Sequence, residues 1–346
     1  MIQKIKKLLN SIAGKIILSV FALTFVFLLW IMFMPNFRAA EDKENLYIYP
    51  GTDYSQLIDT LEKSDFISSV LTFRAASFVA GYGSKVRSGR YIIKNGMNNF
   101  SLLRKLRSGR QDAVKVKINN IRTKEQLAGR LSEYLMPDSA EILNLLNDSA
   151  FLSQFELDIN VAVSLFIPNT YEIFWDTDAT GIFTRMQKEF DKFWTKERRA
   201  KADEIPLSLY EVITLASIIE EETNNKKEHP IIAGLYINRL KTGMPLQACP
   251  TIRFALNDFT IKRVLFKHIR YASPFNTYKN TGLPPGPIRL PSIQCIDAVL
   301  NYEKHDYLFM CASELLNGQH NFAVTGEEHM VNARNYQKAL DARGIK

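Results

Sequence analysis

The segment Ser208-Leu-Tyr-Glu211 … Thr223, SLYEVITLASIIEEET, ends in three consecutive carboxylates, Glu220, Glu221 and Glu222. Val212, Ile213, Leu215, Ala216, Ile218 and Ile219 would wrap most of a helix surface, so the segment reads as a largely buried helix. Ser208 and Glu211 form a capping box, in which each side chain satisfies a free amide at the helix start. Carboxylates in the last turn face the negative end of the helix dipole, an unfavourable place for three of them. Glu220 follows Ile213, Ala216 and Ser217 at i−7, i−4 and i−3, which projects it from the half-sheltered face. Burial, neighbouring acids and the dipole all favour the neutral form of such a carboxyl. A carboxylic acid still protonated near neutral pH is what the leaving oxygen of a glycosidic bond requires. The plain alternative is an acidic triplet ending a helix in solvent.

Further along come Tyr236-Ile-Asn-Arg239-Leu, Gly243-Met-Pro-Leu-Gln247-Ala-Cys-Pro-Thr251, Ser273-Pro-Phe-Asn276-Thr-Tyr278 and Gly282-Leu-Pro-Pro-Gly-Pro-Ile288. Stiff Pro/Gly loops beside Asn, Gln, Thr and Tyr offer neutral hydrogen-bonding groups and apolar ring faces, the combination that recognises sugars. The same loops would equally serve as rigid packing. Three cysteines, Cys249, Cys295 and Cys311, form no CxxC pair, and only five histidines are present, so no metal-site spacing is seen. At most one disulfide fits, and the cysteines read as small core residues.

The elements that must position these groups begin with Ile16–Met34, an uncharged run of 19 residues. That length matches the ~30 Å hydrocarbon core of a bilayer. Lys4, Lys6, Lys7 and Lys15 precede it without an acidic residue, which places residues 1–15 in the cytoplasm and the bulk of the chain on the extracytoplasmic side. The run is long for a cleaved leader, and PNFRAAED after it lacks a small-x-small cleavage site. Residues 35–45 read as a polar linker.

A strand–turn–helix pattern follows three times. The copies are LYIY (47–50) with a helix from Asp53 to Lys63, RYIIK (90–94) with a helix near Asn98–Leu106, and VKVKI (114–118) with a helix from Thr123 to Tyr134. The first two resemble carbohydrate-binding modules of the LysM type, which gives a LysM-like module over 46–112; a spacer packed on the catalytic body is the alternative. From about 138 the pattern is mainly helical: Gly181–Ala202 with Phe183, Met186, Phe190 and Phe193 on one face, then His229–Leu240, and a closing helix over Glu327–Arg343. YLFMCA (307–312) and NFAVT (321–325) around Asn317-Gly318 suggest a hairpin. The fold class is α+β, with residues 113–346 as the catalytic domain. Composition is ordinary for a globular protein, 46% apolar and 23% charged. The formal charge of +8 suits an anionic partner. Its basic residues are dispersed rather than gathered in a stripe, which argues against nucleic acid.

Taken together, LASIIEEET (215–223), YINRL (236–240), MPLQACPT (244–251), FNTY (275–278), GLPPGPI (282–288) and HNFAVT (320–325) resemble the endolytic murein transglycosylases, the YceG-like or MltG family. The resemblance covers nearly the whole chain. It implies a membrane-anchored lytic transglycosylase that cleaves the β-1,4 bond between N-acetylmuramic acid and N-acetylglucosamine and leaves a 1,6-anhydro end. It implies no cofactor and no metal, with peptidoglycan strands as substrate and peptidoglycan synthases as candidate partners. Glu220 takes the catalytic position in this reading, and Gln247, Thr251, Asn276 and Tyr278 line the glycan groove, with Glu222 as a supporting residue. One departure stands out: the family usually carries Asp before its Pro-Thr pair, where this chain has Cys249, and a thiol replaces neither the charge nor the acceptor. A non-catalytic glycan-binding scaffold and a lysozyme-like hydrolase are the rival readings.

Overall fold

The computed structural model describes residues 11–344, so Lys4, Lys6 and Lys7 lie outside the described residues. The chain divides into two compact units: residues 1–114 with 172–177, and residues 115–171 with 178–346.

In the first unit, helix α1 (Ile12–Phe33) is 22 residues long and carries no acidic residue. It is long and apolar enough to cross a membrane, at about 33 Å by the helical rise. Residues 35–45, expected as a linker, are folded instead. Phe37 is fully buried, Pro35 and Phe37 bridge Asn98 and Ile67, and strand β1 (Lys43–Ile48) starts within the segment. The sparse apolar content of this stretch concealed that one phenylalanine anchors it. Helices α2 (Tyr54–Glu62) and α3 (Val70–Val79) follow, capped by Asp53 and Ser69. Strand β2 (Gly89–Lys94) then pairs antiparallel with β1 from Lys43 opposite Lys94 to Ile48 opposite Gly89. Helix α4 (Asn99–Ser108), capped by Asn98, ends at Gly109 in the left-handed conformation that favours glycine. The first two copies of the pattern are therefore one interlocked β–α–α–β–α body around Leu46, Leu57, Leu61, Phe73, Tyr91 and Leu106. Trp175 joins it, meeting Tyr47 at a tilt and Tyr49 edge to face at ring separations of 4.8 and 4.9 Å.

Strand β3 (Val114–Ile118) leads into the second unit. Helices α5 (Lys124–Ser132), α6 (Ser139–Asn147) and α7 (Ser149–Ser153) follow, then a 3₁₀ turn at Ala162–Leu165 and strand β4 (Asn169–Ile173), the partner of β3. The helix expected over Gly181–Ala202 is two: α8 (Ala179–Phe193) and α9 (Lys196–Glu204). Thr195 breaks it by adopting an extended backbone and capping α9 with its hydroxyl. Next come α10 (Leu209–Glu222), α11 (His229–Lys241), α12 (Cys249–Ala255), the single turn α13 (Phe266–Ile269) and α14 (Ile293–Leu300). Strands β5 (Phe309–Ala312) and β6 (His320–Ala323) pair antiparallel before the closing helix α15 (Gly326–Ala342).

Helix α10 is the axis of this unit. Eight consecutive residues, Val212–Ile219, are buried, and α11, α12 and α14 all pack against it. Its capping box is formed as the sequence indicated: Ser208 Oγ accepts from Glu211 N, and Glu211 Oε2 accepts from Ser208 N. The GLPPGPI loop is pinned to it, since Ile288 N donates to Ser217 Oγ at 3.0 Å. A Cβ on Gly286 would stand 2.2 Å from the carbonyl oxygen of Asn160, so only glycine permits that close approach.

Candidate active site

The three carboxylates at the end of α10 have three different environments. Glu221 is an ion-pair hub: its Oε1 accepts from Arg122 Nε and Nη2 at 3.0 and 2.8 Å and from Arg289 Nη1 at 2.6 Å. Glu220 is engaged on the same side. Its Oε2 accepts from Ser292 N at 2.5 Å, and Arg289 Nη2 lies 3.8 Å from its Oε1. Glu220 thus caps the start of α14 and stands beside a guanidinium.

The properties expected at Glu220 are found at Glu222. Its Oε2 is closed to solvent and has no hydrogen-bond partner, and it takes part in no ion pair among the described residues. Burial pushes its carboxyl from the ordinary 4.5 up to about 7, against the opposing pull of His320, Arg253 and Arg239. At neutral pH a large share of this acid is protonated. Two residues separate Glu220 from Glu222, so about 200° of helix rotation sends them to opposite sides of α10.

The groups around Glu222 come from four sequence-distant segments. Arg239, on α11, is buried and spends its donors on backbone, to Leu308 O at 2.6 Å and Leu246 O at 2.8 Å. It ties the end of α11 to the strand pair and to the MPLQ loop. His320 is held by Glu228, which precedes α11. Tyr278 and Cys249 are linked by a 3.1 Å contact between the phenolic oxygen and Sγ. Burial raises both Tyr278 and Cys249, with the charge of Glu222 adding to each. Cys249 therefore belongs to the site. Cys295 is a core residue whose thiol donates to Ala216 O, and all three cysteines are free.

Two of the expected groove residues turn out to be internal. Asn276 is fully buried; its Nδ2 donates to Ile269 O and Tyr271 O, and its Oδ1 accepts from Tyr278 N. Thr251 is fully buried, bonded to Ala248 O and Thr277 Oγ1 at 2.7 and 2.9 Å. Both side chains bond within the loops, and their polar atoms are already partnered there. Gln247 is the opposite case. Its side chain is exposed, and its backbone has φ of +49°, a strained conformation held by a bond from its N–H to Thr277 O. A cavity of about 330 Å³ opens beside the same motifs, lined by Arg122, Asn160, Phe254, Asn257, Phe275 and Pro287 among others. The Phe254 and Phe275 rings meet there in a tilted arrangement with centroids 4.9 Å apart.

Sequence reasoning missed Arg122, Glu228, Arg253 and Arg289 as parts of this constellation. His320 was signalled by the HNFAVT motif, without a role. Arg122 and Arg289 had no local signal, because they meet Glu221 across separations of 99 and 68 residues.

A sequence profile described as the YceG-like family matches residues 46–335. The chain belongs to the YceG-like family. Among similar proteins is an endolytic murein transglycosylase of Bacillus subtilis, 30% identical over 82% of each chain. Another is an endolytic murein transglycosylase of Streptococcus pneumoniae, 26% identical over 81% of this chain and 56% of that longer one. In fold, the chain is similar to the 2.6 Å crystal structure of a YceG-like protein of Listeria monocytogenes. The TM-score is 0.55 at 28% identity, covering 84% of this chain and 98% of that one.

Proposed function

We propose that this YceG-like chain is an endolytic murein transglycosylase, a lyase on peptidoglycan, with Glu222 as its acid and base. The carrying observation is the sheltered, unpaired Glu222 carboxyl raised to about 7, at the meeting point of four family motifs. Its neutral form donates a proton to the oxygen leaving C1 of N-acetylmuramic acid. The resulting carboxylate then takes the proton from the C6 hydroxyl of the same sugar as that oxygen attacks C1, giving the 1,6-anhydro end and regenerating the acid. The substrate carries its own nucleophile, so the second carboxylate of an ordinary glycosidase is unnecessary. That accords with a site in which Glu220 and Glu221 are committed to arginines. Gln247 and Tyr278 contact the glycan, and the Phe254–Phe275 pair offers a ring face for a sugar.

Helix α1 anchors the protein in the cytoplasmic membrane as a single pass, with the folded units on the extracytoplasmic side, where the strands being cut are made. The first unit serves as a LysM-like glycan-binding module, a role supported by its paired strands with two intervening helices. Peptidoglycan synthases are the expected protein partners.

The test compares Glu222→Gln with Glu220→Gln on purified peptidoglycan, reading released fragments by mass spectrometry. Glu222→Gln is expected to release no anhydro-muropeptides, while Glu220→Gln, if folded, retains activity. The reverse pattern would return the role to Glu220, and fragments carrying an added water would make the protein a hydrolase.

A further inference from the structure

Helix α3 turns Phe73, Ala76 and Ser77 inward and leaves Leu71, Arg74 and Phe78 outward at i, i+3 and i+7. Leu71 is 78% exposed and Phe78 88%. Two large apolar side chains this open on one stripe mark a docking face rather than scattered surface residues.

What covers that face follows from how α3 is joined to α1. Buried Asn36, just past the end of α1, donates to Ser69 O and to Asn99 Oδ1 and accepts from Ser69 N, all at 2.8–2.9 Å. Asn99 in turn donates to Ile31 O inside the last turn of α1. Ser69 caps α3 and Asn99 opens α4, so both helices are fastened to the end of α1 with no slack. Both also pack against α1, and the tilted Phe33 and Phe100 rings lie 5.1 Å apart. Trp30, Phe33 and Met34 at that end are each about half exposed, the kind of aromatic and apolar belt that sits at a membrane boundary. Arginines ring the same surface. Arg74 lies on the stripe, 3.8 Å from Glu62; Arg104 stands over the Phe100 ring at 5.7 Å; Arg107 donates to Ala80 O at the end of α3.

We infer that the outward stripe of α3 lies in the headgroup–acyl boundary of the bilayer that α1 spans, with the arginines of α3 and α4 on anionic lipid headgroups. The first unit is then seated on the membrane by α3 as well as by α1, and does not swing on a tether. The inference rests on reading α1 as a membrane span. An apolar stripe with flanking arginines is the pattern of an interfacial helix.

The experiment uses the full chain in liposomes containing phosphatidylglycerol, with an added tryptophan read as the difference from the parent protein. Lipids brominated on the acyl chain supply the quencher. Val20→Trp reports the span, Phe78→Trp the stripe, and Asp59→Trp on the exposed side of α2 the solvent. Phe78→Trp is expected to lose most of its added emission, as Val20→Trp does, while Asp59→Trp loses almost none. Quenching at position 20 with none at 78 would overturn the inference and leave the span intact; no quenching at either would remove both. A position-78 signal that shifts with protein concentration and ignores the brominated lipid would assign the face to self-association instead. Arg74→Glu with Arg104→Glu should lessen the quenching at 78, and lessen it more in anionic than in neutral vesicles.

Discussion

His320 and Glu228 are joined twice: the His320 backbone N–H donates to Glu228 Oε1 at 2.9 Å, and His320 Nδ1 stands 2.8 Å from Glu228 Oε2. Thr223 Oγ1, at the end of α10, donates to the same Oε2 at 3.4 Å. One buried carboxylate thus fastens the start of β6 to the segment that follows Glu222. The carboxylate also fixes the imidazole ring.

Removing one member of a buried pair leaves the other desolvated and unmatched, which costs more than the pair itself contributes. Glu228→Ala is therefore expected to destabilise the fold by on the order of 2–3 kcal/mol, read from the urea midpoint. His320→Ala should lose less, since the backbone N–H of residue 320 keeps its acceptor. The double variant should fall short of the sum, by about 1 kcal/mol, because both changes break one shared contact. Strict additivity would show that the two side chains are not energetically linked.

Activity should fall as pH rises. The proposed mechanism begins from neutral Glu222, whose carboxyl is held at about 7. Turnover on peptidoglycan fragments is expected to be level in mildly acidic solution and to drop about tenfold per unit well above 7. A profile level to pH 9 would be incompatible with Glu222 as the donor.

The same shift makes a prediction about stability. The folded-state value of about 7 lies above the ordinary 4.5, so the folded protein binds this proton more tightly than the unfolded chain. The contribution is fully present below about 4.5 and is lost as pH rises through about 7. Its full size is up to about 3 kcal/mol. Glu222→Gln removes the charge and keeps the shape. Its thermal midpoint should therefore exceed that of the unaltered protein at pH 8 and converge with it near pH 4. A variant less stable at pH 8 would show that the ionised carboxylate has partners in the fold.

The legible parts of this structure were those fixed within one turn of chain. Ser208 and Glu211 announce the start of α10, and Val212–Ile219 announce its burial, because capping and helical periodicity are local. The choice among Glu220, Glu221 and Glu222 was not local. Geometry on an isolated helix marks Glu220 as half-sheltered, and the groups beside it are Arg289 and Ser292. Arg289 follows GLPPGPI, and nothing in that loop's sequence says which glutamate it reaches. Asn276 and Thr251 were similarly ambiguous: a polar side chain in a Pro/Gly loop looks the same whether it binds a ligand or the loop itself. The fold of residues 35–45 was hidden for a different reason, since Phe37 is a single apolar residue without a repeat to mark it.

Cys249, where the resemblance implies an Asp, carries the last prediction. Cys249 Sγ lies 3.1 Å from Tyr278 OH, and burial together with the nearby Glu222 pushes the thiol up from its ordinary value. A neutral thiol there adds no negative charge at neutral pH. Cys249→Asp would introduce one, with the Tyr278 hydroxyl able to donate to it. A second carboxylate close to Glu222 disfavours ionising both, so the Glu222 proton should be held to higher pH. The falling limb of the activity profile is expected to move up by about one unit. Cys249→Asn, which has similar shape without charge, should leave the limb in place. If both variants shift it equally, the effect comes from packing at α12 and not from charge on Glu222.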